Sequence, residues 1–169
     1  METAAHVLDS LRREFKGQKR LGEKVLAQAH DEHLHTRLDP ESNSLAVLIR
    51  HLAGNMVSRW TDFLTTDGEK PTRDRDGEFE DAPLDRAALM AEWERGWATL
   101  FATLDALHPE DLLRRVTVRG REHSALEALH IQLTHYANHV GQMILLVKHL
   151  DAERWQTLTL PRRRPGTTP

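Results

Sequence analysis

The residues with the clearest chemical potential are in the segment His135-Tyr136-Ala137-Asn138-His139, which carries two histidines four residues apart. On a helix this spacing places both imidazoles on one face, one turn apart, where they can converge on one ion. Zinc, nickel and iron all accept imidazole nitrogen as a ligand. The pair alone is weak as a predictor, because the chain holds 11 histidines and chance alone can produce this spacing.

A third candidate ligand is His51, which the apolar periodicity places beside the inward face of a second helix. His135 and His139 have the same flanking position on the last helix. A groove between two such flanks would bring the three nitrogens together and leave coordination positions open, as in catalytic metal sites. The alternative is that each histidine is an ordinary half-exposed side chain.

Several other chemistries are excluded or disfavoured. The chain has no cysteine, which excludes thiolate ligands, disulfides and a cysteine nucleophile. The histidine pair lacks the glutamate of the zincin motif H-E-x-x-H, and no phosphate loop or G-x-S-x-G elbow is present. A net charge of -3 gives no overall field for nucleic acid or an anionic membrane. Without a signal peptide or a transmembrane segment, the sequence predicts a cytoplasmic protein.

Apolar periodicity predicts four helices, over residues 3–29, 43–64, 85–107 and 124–150. Ser42 or Ser44, Asp85, and Ser124 with Glu127 are the predicted N-caps. On the last helix the predicted inward residues are Leu126, Leu129, Leu133, Tyr136, Val140, Ile144 and Val147. The fold class is therefore an all-α four-helix bundle.

The predicted connections differ in length and character. Residues 65–83 form a long charged loop, and a loop of that length is usually functional or mobile. Residues 115–123 form a small hairpin or an extended turn around Arg119-Gly120. His30, His33 and His35 lie in a loop and are interpreted as solvated. We expect a single domain over residues 1–160, followed by a flexible basic tail over residues 161–169.

The chain resembles the DinB-like (YfiT-like) superfamily of metal-binding four-helix bundles, and within it a little-characterised bacterial subgroup. The segments that carry the resemblance are 49–56 (IRHLAGNM), 58–64 (SRWTDFL), 66–71 (TDGEKP), 73–79 (RDRDGEF) and 132–142 (QLTHYANHVGQ). The likeness extends over nearly the whole chain, but residues 160–166 follow the subgroup's usual C-terminal segment only loosely.

The resemblance implies an up-down-down-up bundle, often dimeric, in which residues 65–83 supply a long crossover. It also implies that His51, His135 and His139 bind one divalent metal ion, which can be zinc, nickel or iron. Characterised relatives join a low-molecular-weight thiol such as bacillithiol to an electrophile, and others are mycothiol-dependent isomerases.

Two functions are consistent with these features. The first is a metal-dependent thiol transferase, in which Asn55, Arg59 and Gln142 are candidates for orienting the substrate. For Arg59 the alternative is a surface salt bridge with Asp62, and Asp62 could instead fix a histidine tautomer. The second is a non-catalytic, metal-stabilised stress or interaction protein. In that case the tryptophans Trp60, Trp93, Trp97 and Trp155 are core or dimer contacts.

Overall fold

The computed structural model describes residues 2–80 and 82–160. Most of these residues lie in helices α1 (Glu2–Leu26), α2 (Leu45–Trp60), α3 (Arg86–Ala106) and α4 (Ala125–Leu150). Two strands, β1 (Arg115–Val118) and β2 (Arg121–Ser124), form an antiparallel hairpin. The predicted all-α four-helix class is confirmed. None of the helices in the described part of the chain combines the length and apolar character that crossing a membrane requires.

Helices α2 and α3 are parallel neighbours. Gly96 lies against Ala53 and Met56, with so little space that a Cβ at residue 96 would touch the Ala53 backbone. Further along both helices, Thr103 Oγ1 donates to the Trp60 carbonyl at 2.7 Å. The later residue of α2 contacts the later residue of α3, so the two helices point the same way. The 61–85 connection therefore has to run back along the bundle, as the predicted crossover requires.

Helix α1 runs antiparallel to α3. Arg12 near its middle donates to the Leu104 carbonyl, at 2.8 Å from Nη2, whereas Gly22 near its end packs on the Trp93 ring. A side chain at residue 22 would clash with that ring. Gly22 is therefore needed for the close packing of α1 on α3.

Helix α4 runs antiparallel to α2. His51, early in α2, neighbours His139, whereas Trp60 at the end of α2 contacts Tyr136. Helices α1 and α4 therefore point one way and α2 and α3 the other, which confirms the up-down-down-up order.

The N-terminal ends of the helices follow the sequence, because their caps are local. Ser44, rather than Ser42, accepts from the Val47 amide at 3.3 Å. Asp85 accepts from the Ala88 amide at 2.8 Å. Ser124 with Glu127 forms the predicted capping box of α4.

The first two helices end earlier than the sequence predicted. Helix α1 ends at Leu26 rather than at residue 29. Helix α2 ends at Trp60 rather than at residue 64, because Thr61 is extended and Asp62 is left-handed with φ 49°. The amides of Thr65 and Thr66 then bond to the Asp62 carbonyl, forming a turn instead of a helix.

The inward face of α4 also differs from the prediction. Leu126, Leu133 and Ile144 are only partly buried, whereas Gln132 and Met143 are buried. The helix packs on both α1 and α2, so its buried arc is rotated and includes a polar residue that a hydrophobic pattern cannot identify. The predicted core role of three tryptophans is confirmed, since Trp60, Trp93 and Trp97 are buried.

The hairpin fastens the beginning of the crossover. Arg119 and Gly120 both have positive φ, 53° and 71°, as a tight two-residue hairpin turn requires. The Gly68 amide bonds to the Thr117 carbonyl at 2.8 Å, and the Asp67 carboxylate accepts from the Arg119 and Gly120 amides. The predicted basic tail, residues 161–169, lies outside the described residues.

Candidate metal centre

Three histidines from two helices converge between α2 and α4. His51 Nε2 lies 3.2 Å from His135 Nε2, and His139 Nε2 lies 3.0 Å from the same atom. His51 is buried, whereas His135 and His139 are half-buried. The structure thus brings together the three histidines that the sequence singled out, with ligand nitrogens within 4.8 Å of one another.

The separations between the Nε2 atoms suit a first-row divalent ion. Zinc–imidazole bonds of about 2.1 Å place two nitrogens about 3.4 Å apart at a tetrahedral angle and about 3.0 Å apart at a right angle. The separations of 3.0 and 3.2 Å lie within that interval. Within residues 2–80 and 82–160, these histidines are the only group of three potential ligands found close enough to share an ion.

Two of the three rings are oriented through their outer nitrogens. His51 Nδ1 lies 2.9 Å from Glu78 Oε2, and His139 Nδ1 lies 2.9 Å from Gln142 Oε1. A carboxylate and an amide oxygen only accept hydrogen bonds, so each ring donates from Nδ1. Its Nε2 therefore keeps a lone pair directed at the centre, as a metal ligand requires.

His135 has a different environment, because its Nδ1 is buried with no hydrogen-bond partner among the described residues. Its Nε2 faces two other Nε2 atoms that already carry lone pairs. A proton on His135 Nε2 could be donated to only one of these lone pairs, whereas a cation could accept a lone pair from each of the three rings. The donor set therefore fits a metal ion.

The pKa values of the half-buried ligands favour the neutral form. Burial, together with the nearby His139 and His51, lowers the pKa of His135 to about 3. Burial also lowers the pKa of His139, against the opposing effect of its bond to Gln142. Both rings are therefore neutral at pH 7, which is the form that binds metal.

The crossover covers the outer side of His51. The Phe79 ring lies 4.7 Å from the His51 ring between centroids. Arg73 holds Glu78 through two bonds, Nε to Oε1 at 2.8 Å and Nη2 to Oε2 at 2.7 Å. Burial raises the pKa of Glu78, but the bonds from His51 and Arg73 outweigh burial and hold it below its usual value. The carboxylate is therefore ionised.

The family described as "Protein of unknown function (DUF1572)" matches residues 2–164. The chain belongs to this family. No curated protein and no solved structure matches the chain. Because the family's description gives no activity, the function of this DUF1572 protein has to be argued from its site.

The substrate-orienting candidates of this DUF1572 protein all have partners within the chain. Asn55 Oδ1 accepts from the Tyr136 hydroxyl at 3.0 Å, and Gln142 Oε1 accepts from His139 Nδ1 at 2.9 Å. Arg59 Nη2 donates to Glu69 at 3.0 Å. Their contact with a substrate stays a prediction.

The sequence-based alternative for Arg59, a surface salt bridge with Asp62, is wrong. Arg59 is 6% exposed, and its ion-pair partner is Glu69. Asp62 has left the helix in a left-handed conformation, so the spacing of three residues no longer brings the two side chains together. The role of fixing a histidine tautomer, considered for Asp62, belongs to Glu78.

Sequence reasoning missed Glu78. It lies 27 residues after His51 in the crossover, where no helical spacing relates the two side chains. The sequence carries only one signal, a carboxylate between Gly77 and Phe79 inside a segment that resembles the family. Gly54 is part of the same arrangement, because a Cβ at that position would clash with the Glu78 carboxylate.

The loop histidines do not form a second centre of this kind. His33 Nδ1 lies 2.9 Å from Asp151 Oδ1, and His35 Nε2 lies 2.9 Å from the Leu84 carbonyl. His30 packs edge-on against His33 with ring centroids 6.2 Å apart. Their interpretation as solvated is confirmed for His35, which is exposed, whereas His30 and His33 are half-buried.

A cleft of about 710 Å³ lies between α2, α3 and the crossover. Arg73 and Glu78 line it from the crossover, and Gly54 and Ser58 line it from α2. None of the three candidate ligand histidines lines the cleft, so Glu78 separates it from the candidate metal centre.

Proposed function

We propose that this chain is a DinB-like, cytoplasmic, homodimeric bundle that binds one zinc, nickel or iron ion through His51, His135 and His139 and acts as a metal-dependent thiol transferase. One observation carries the proposal. His135 Nε2 lies 3.2 Å from His51 Nε2 and 3.0 Å from His139 Nε2, and the ligand nitrogens of all three lie within 4.8 Å of one another. Acceptor-only groups hold two of the rings in the ligand tautomer.

The chemistry follows from the number of ligands. Three protein ligands leave further coordination positions for an exogenous group. A divalent ion held there supplies Lewis acidity, which lowers the pKa of a bound thiol. Because the chain has no cysteine, the thiol has to come from a small cosubstrate. Its sulfur forms a bond to the carbon of an electrophile, the leaving group departs, and the thiol proton passes to solvent.

The chain's own residues prepare the site for this reaction. His135 and His139 are half-buried, so a small molecule can approach along their side. His51 is closed off by Phe79, whose ring stacks obliquely on it, and this contact keeps water away from the inner wall.

The metal is tested first. We expect tag-free protein to carry about one divalent ion per chain by elemental analysis, and His139→Ala to lose it. The control is His149→Ala, which removes an exposed histidine from the same helix and should leave the metal content unchanged. Wild-type protein that takes up none of zinc, nickel or iron would end the proposal.

The chemistry is tested next, by conjugation of bacillithiol, or cysteine as a simpler thiol, to chlorodinitrobenzene. We expect turnover that a chelator abolishes and the metal restores. The site also ties α2 to α4, which supports the non-catalytic alternative. A metal-dependent melting temperature without turnover for any thiol would favour that structural role.

A further inference from the structure

Glu78 is shared between the metal centre and an arginine. Its Oε2 atom lies 2.9 Å from His51 Nδ1 and 2.7 Å from Arg73 Nη2. Its Oε1 atom accepts from Arg73 Nε at 2.8 Å. The Glu78 residue is 8% exposed, and the Arg73 side chain is 4% exposed, so both charges are buried and paired.

The crossover backbone is fixed to α2 on both sides of this carboxylate. Arg50, one residue before His51, donates to the Gly77 carbonyl at 2.8 Å and to the Glu80 carbonyl. Asp74 accepts from the Gly77 amide at 3.0 Å and shapes the turn that presents Glu78. The position of Glu78 is therefore set by several contacts that involve no metal-ligand histidine.

We propose that crossover residues 73–80 are a positioning element of the metal centre, in which Glu78, held by Arg73, orients His51 and increases its strength as a ligand. Metal binding and docking of the crossover on α2 then stabilise each other. The inference rests on the proposed metal site.

The three ligands differ in their outer partners, and this difference identifies the important one. His51 has a buried carboxylate, His139 has the amide of an exposed glutamine, and His135 Nδ1 has no partner among the residues described. Outer-shell carboxylates typically contribute about 10- to 100-fold to metal affinity. We therefore expect Glu78 to be the strongest of the supporting groups.

Linkage makes the effect reciprocal. If Glu78 raises metal affinity by some factor, the metal strengthens the docking of the Glu78 segment by the same factor. Arg73 and Glu78 also line the cleft of about 710 Å³. Occupancy of the metal centre is thereby coupled to the stability of one wall of that cleft.

The first experiment measures zinc affinity by competition with a chromophoric chelator. Glu78→Gln preserves size and removes the charge, and we expect affinity to fall about 10- to 100-fold. Glu78→Asp, which keeps the charge, should recover part of this loss. Glu80→Gln, an exposed neighbour, should have no effect. The NMR signal of the His51 Nδ1 proton should move in Glu78→Gln, a change that loss of general stability would not produce.

A second variant changes the position of the Glu78 side chain without replacing that residue. Gly54→Ala should displace the carboxylate, since its Cβ would clash there, and should weaken zinc binding in the same way. Gly17→Ala is the matched control, because nothing lies within 4 Å of its new Cβ. Equal zinc affinity in wild type and Gly54→Ala would count against the positioning role.

The reciprocal effect is measured by trypsin cleavage after Arg75, which is about half exposed in the crossover. Zinc should slow cleavage of the wild type by about the same factor by which Glu78→Gln lowers zinc affinity. In Glu78→Gln, zinc should slow cleavage much less. Unchanged zinc affinity in Glu78→Gln would overturn this inference and leave the proposed function standing. Failure of both proteins to bind zinc, nickel or iron would overturn the proposed function itself.

Discussion

The two groups of histidines in this chain are alike in composition and different in arrangement. His51, His135 and His139 lie on two long helices, and the inner nitrogen of His135 lies 3.2 and 3.0 Å from those of His51 and His139. His30 and His33 lie between α1 and α2, where His33 bonds Asp151 and His30 contacts Arg154. In the second group both rings lie near the Asp151 carboxylate, but among the described residues this group does not bring three ligand atoms close enough to share an ion.

The difference shows that proximity in sequence is a poor guide to a ligand set. His30 and His33 are three residues apart, yet with their neighbour Asp151 they are not among the groups of three that could share an ion in the described residues. His51 and His135 are 84 residues apart, yet helix packing brings their Nε2 atoms within 3.2 Å of each other. A metal centre needs lone pairs that converge, and rigid helices supply that better than a loop.

The largest expected difference between the two groups is in metal-induced stabilisation. Zinc at about 100 times its dissociation constant should stabilise the wild type by about 2.7 kcal/mol, measured as a rise in melting temperature. His51→Ala should lose this rise, because two imidazoles remain. His33→Ala should retain it in full, and loss of the rise in that variant would mean that zinc binds elsewhere.

The pH dependence of stability should also separate the groups. In metal-free protein the pKa of His135 is about 3, whereas an unfolded histidine titrates near pH ~6.5. Between these values the unfolded chain binds the extra proton, so stability falls as the pH is lowered, by up to about 1.4 kcal/mol per unit. Urea unfolding between pH 7.5 and 5 measures this.

The variants for this comparison are His135→Asn, which should flatten the pH profile, and His33→Asn, which should leave its His135-dependent part in place. A His135→Asn profile as steep as that of the wild type would contradict the assignment.

Removal of Asp151 should affect only the second group. Asp151 is buried and accepts from His33 Nδ1 at 2.9 Å. Asp151→Ala leaves this half-buried donor without its partner, and we expect a loss of roughly 1–2 kcal/mol in the free energy of unfolding. Zinc affinity should be unchanged by titration calorimetry. Glu153→Ala, at an exposed neighbouring position, should change neither quantity.

The smallest expected effect is that of Gln142→Ala. The amide of this exposed residue orients His139 from outside, and water can take its place as acceptor. Zinc affinity should fall only about two- to fivefold, in the same competition assay used for Glu78. A larger loss than for Glu78→Gln would reverse the ranking of the two supporting groups.

Local signals predicted a large part of the fold. The caps at Asp85 and Ser124 are read from residues within one turn, and the Arg119-Gly120 hairpin from its own dipeptide. The ligand triad came from helical spacing together with the family resemblance. The antiparallel and parallel helix directions came from the resemblance alone, because periodicity carries no information on how helices are arranged.

The features that were missed depend on tertiary contacts. The end of α2 at Trp60 is set by the turn at Asp62, and the burial of Gln132 by the packing of α4 on two helices. Glu78 reaches His51 only after the crossover has folded back, and Glu69 reaches Arg59 in the same way. None of these pairs has a fixed spacing that a sequence pattern would detect.

A buried chain of hydrogen bonds beside the ligands has a consequence for the choice of ion. Trp60 Nε1 donates to the Tyr136 hydroxyl at 2.8 Å, and that hydroxyl donates to Asn55 at 3.0 Å. Because Tyr136 directly follows His135, rotating α4 to widen the triangle of nitrogens would break this chain in the core. Calcium forms bonds of about 2.3–2.6 Å and prefers oxygen, so we expect the proposed site to reject it by size as well as by chemistry.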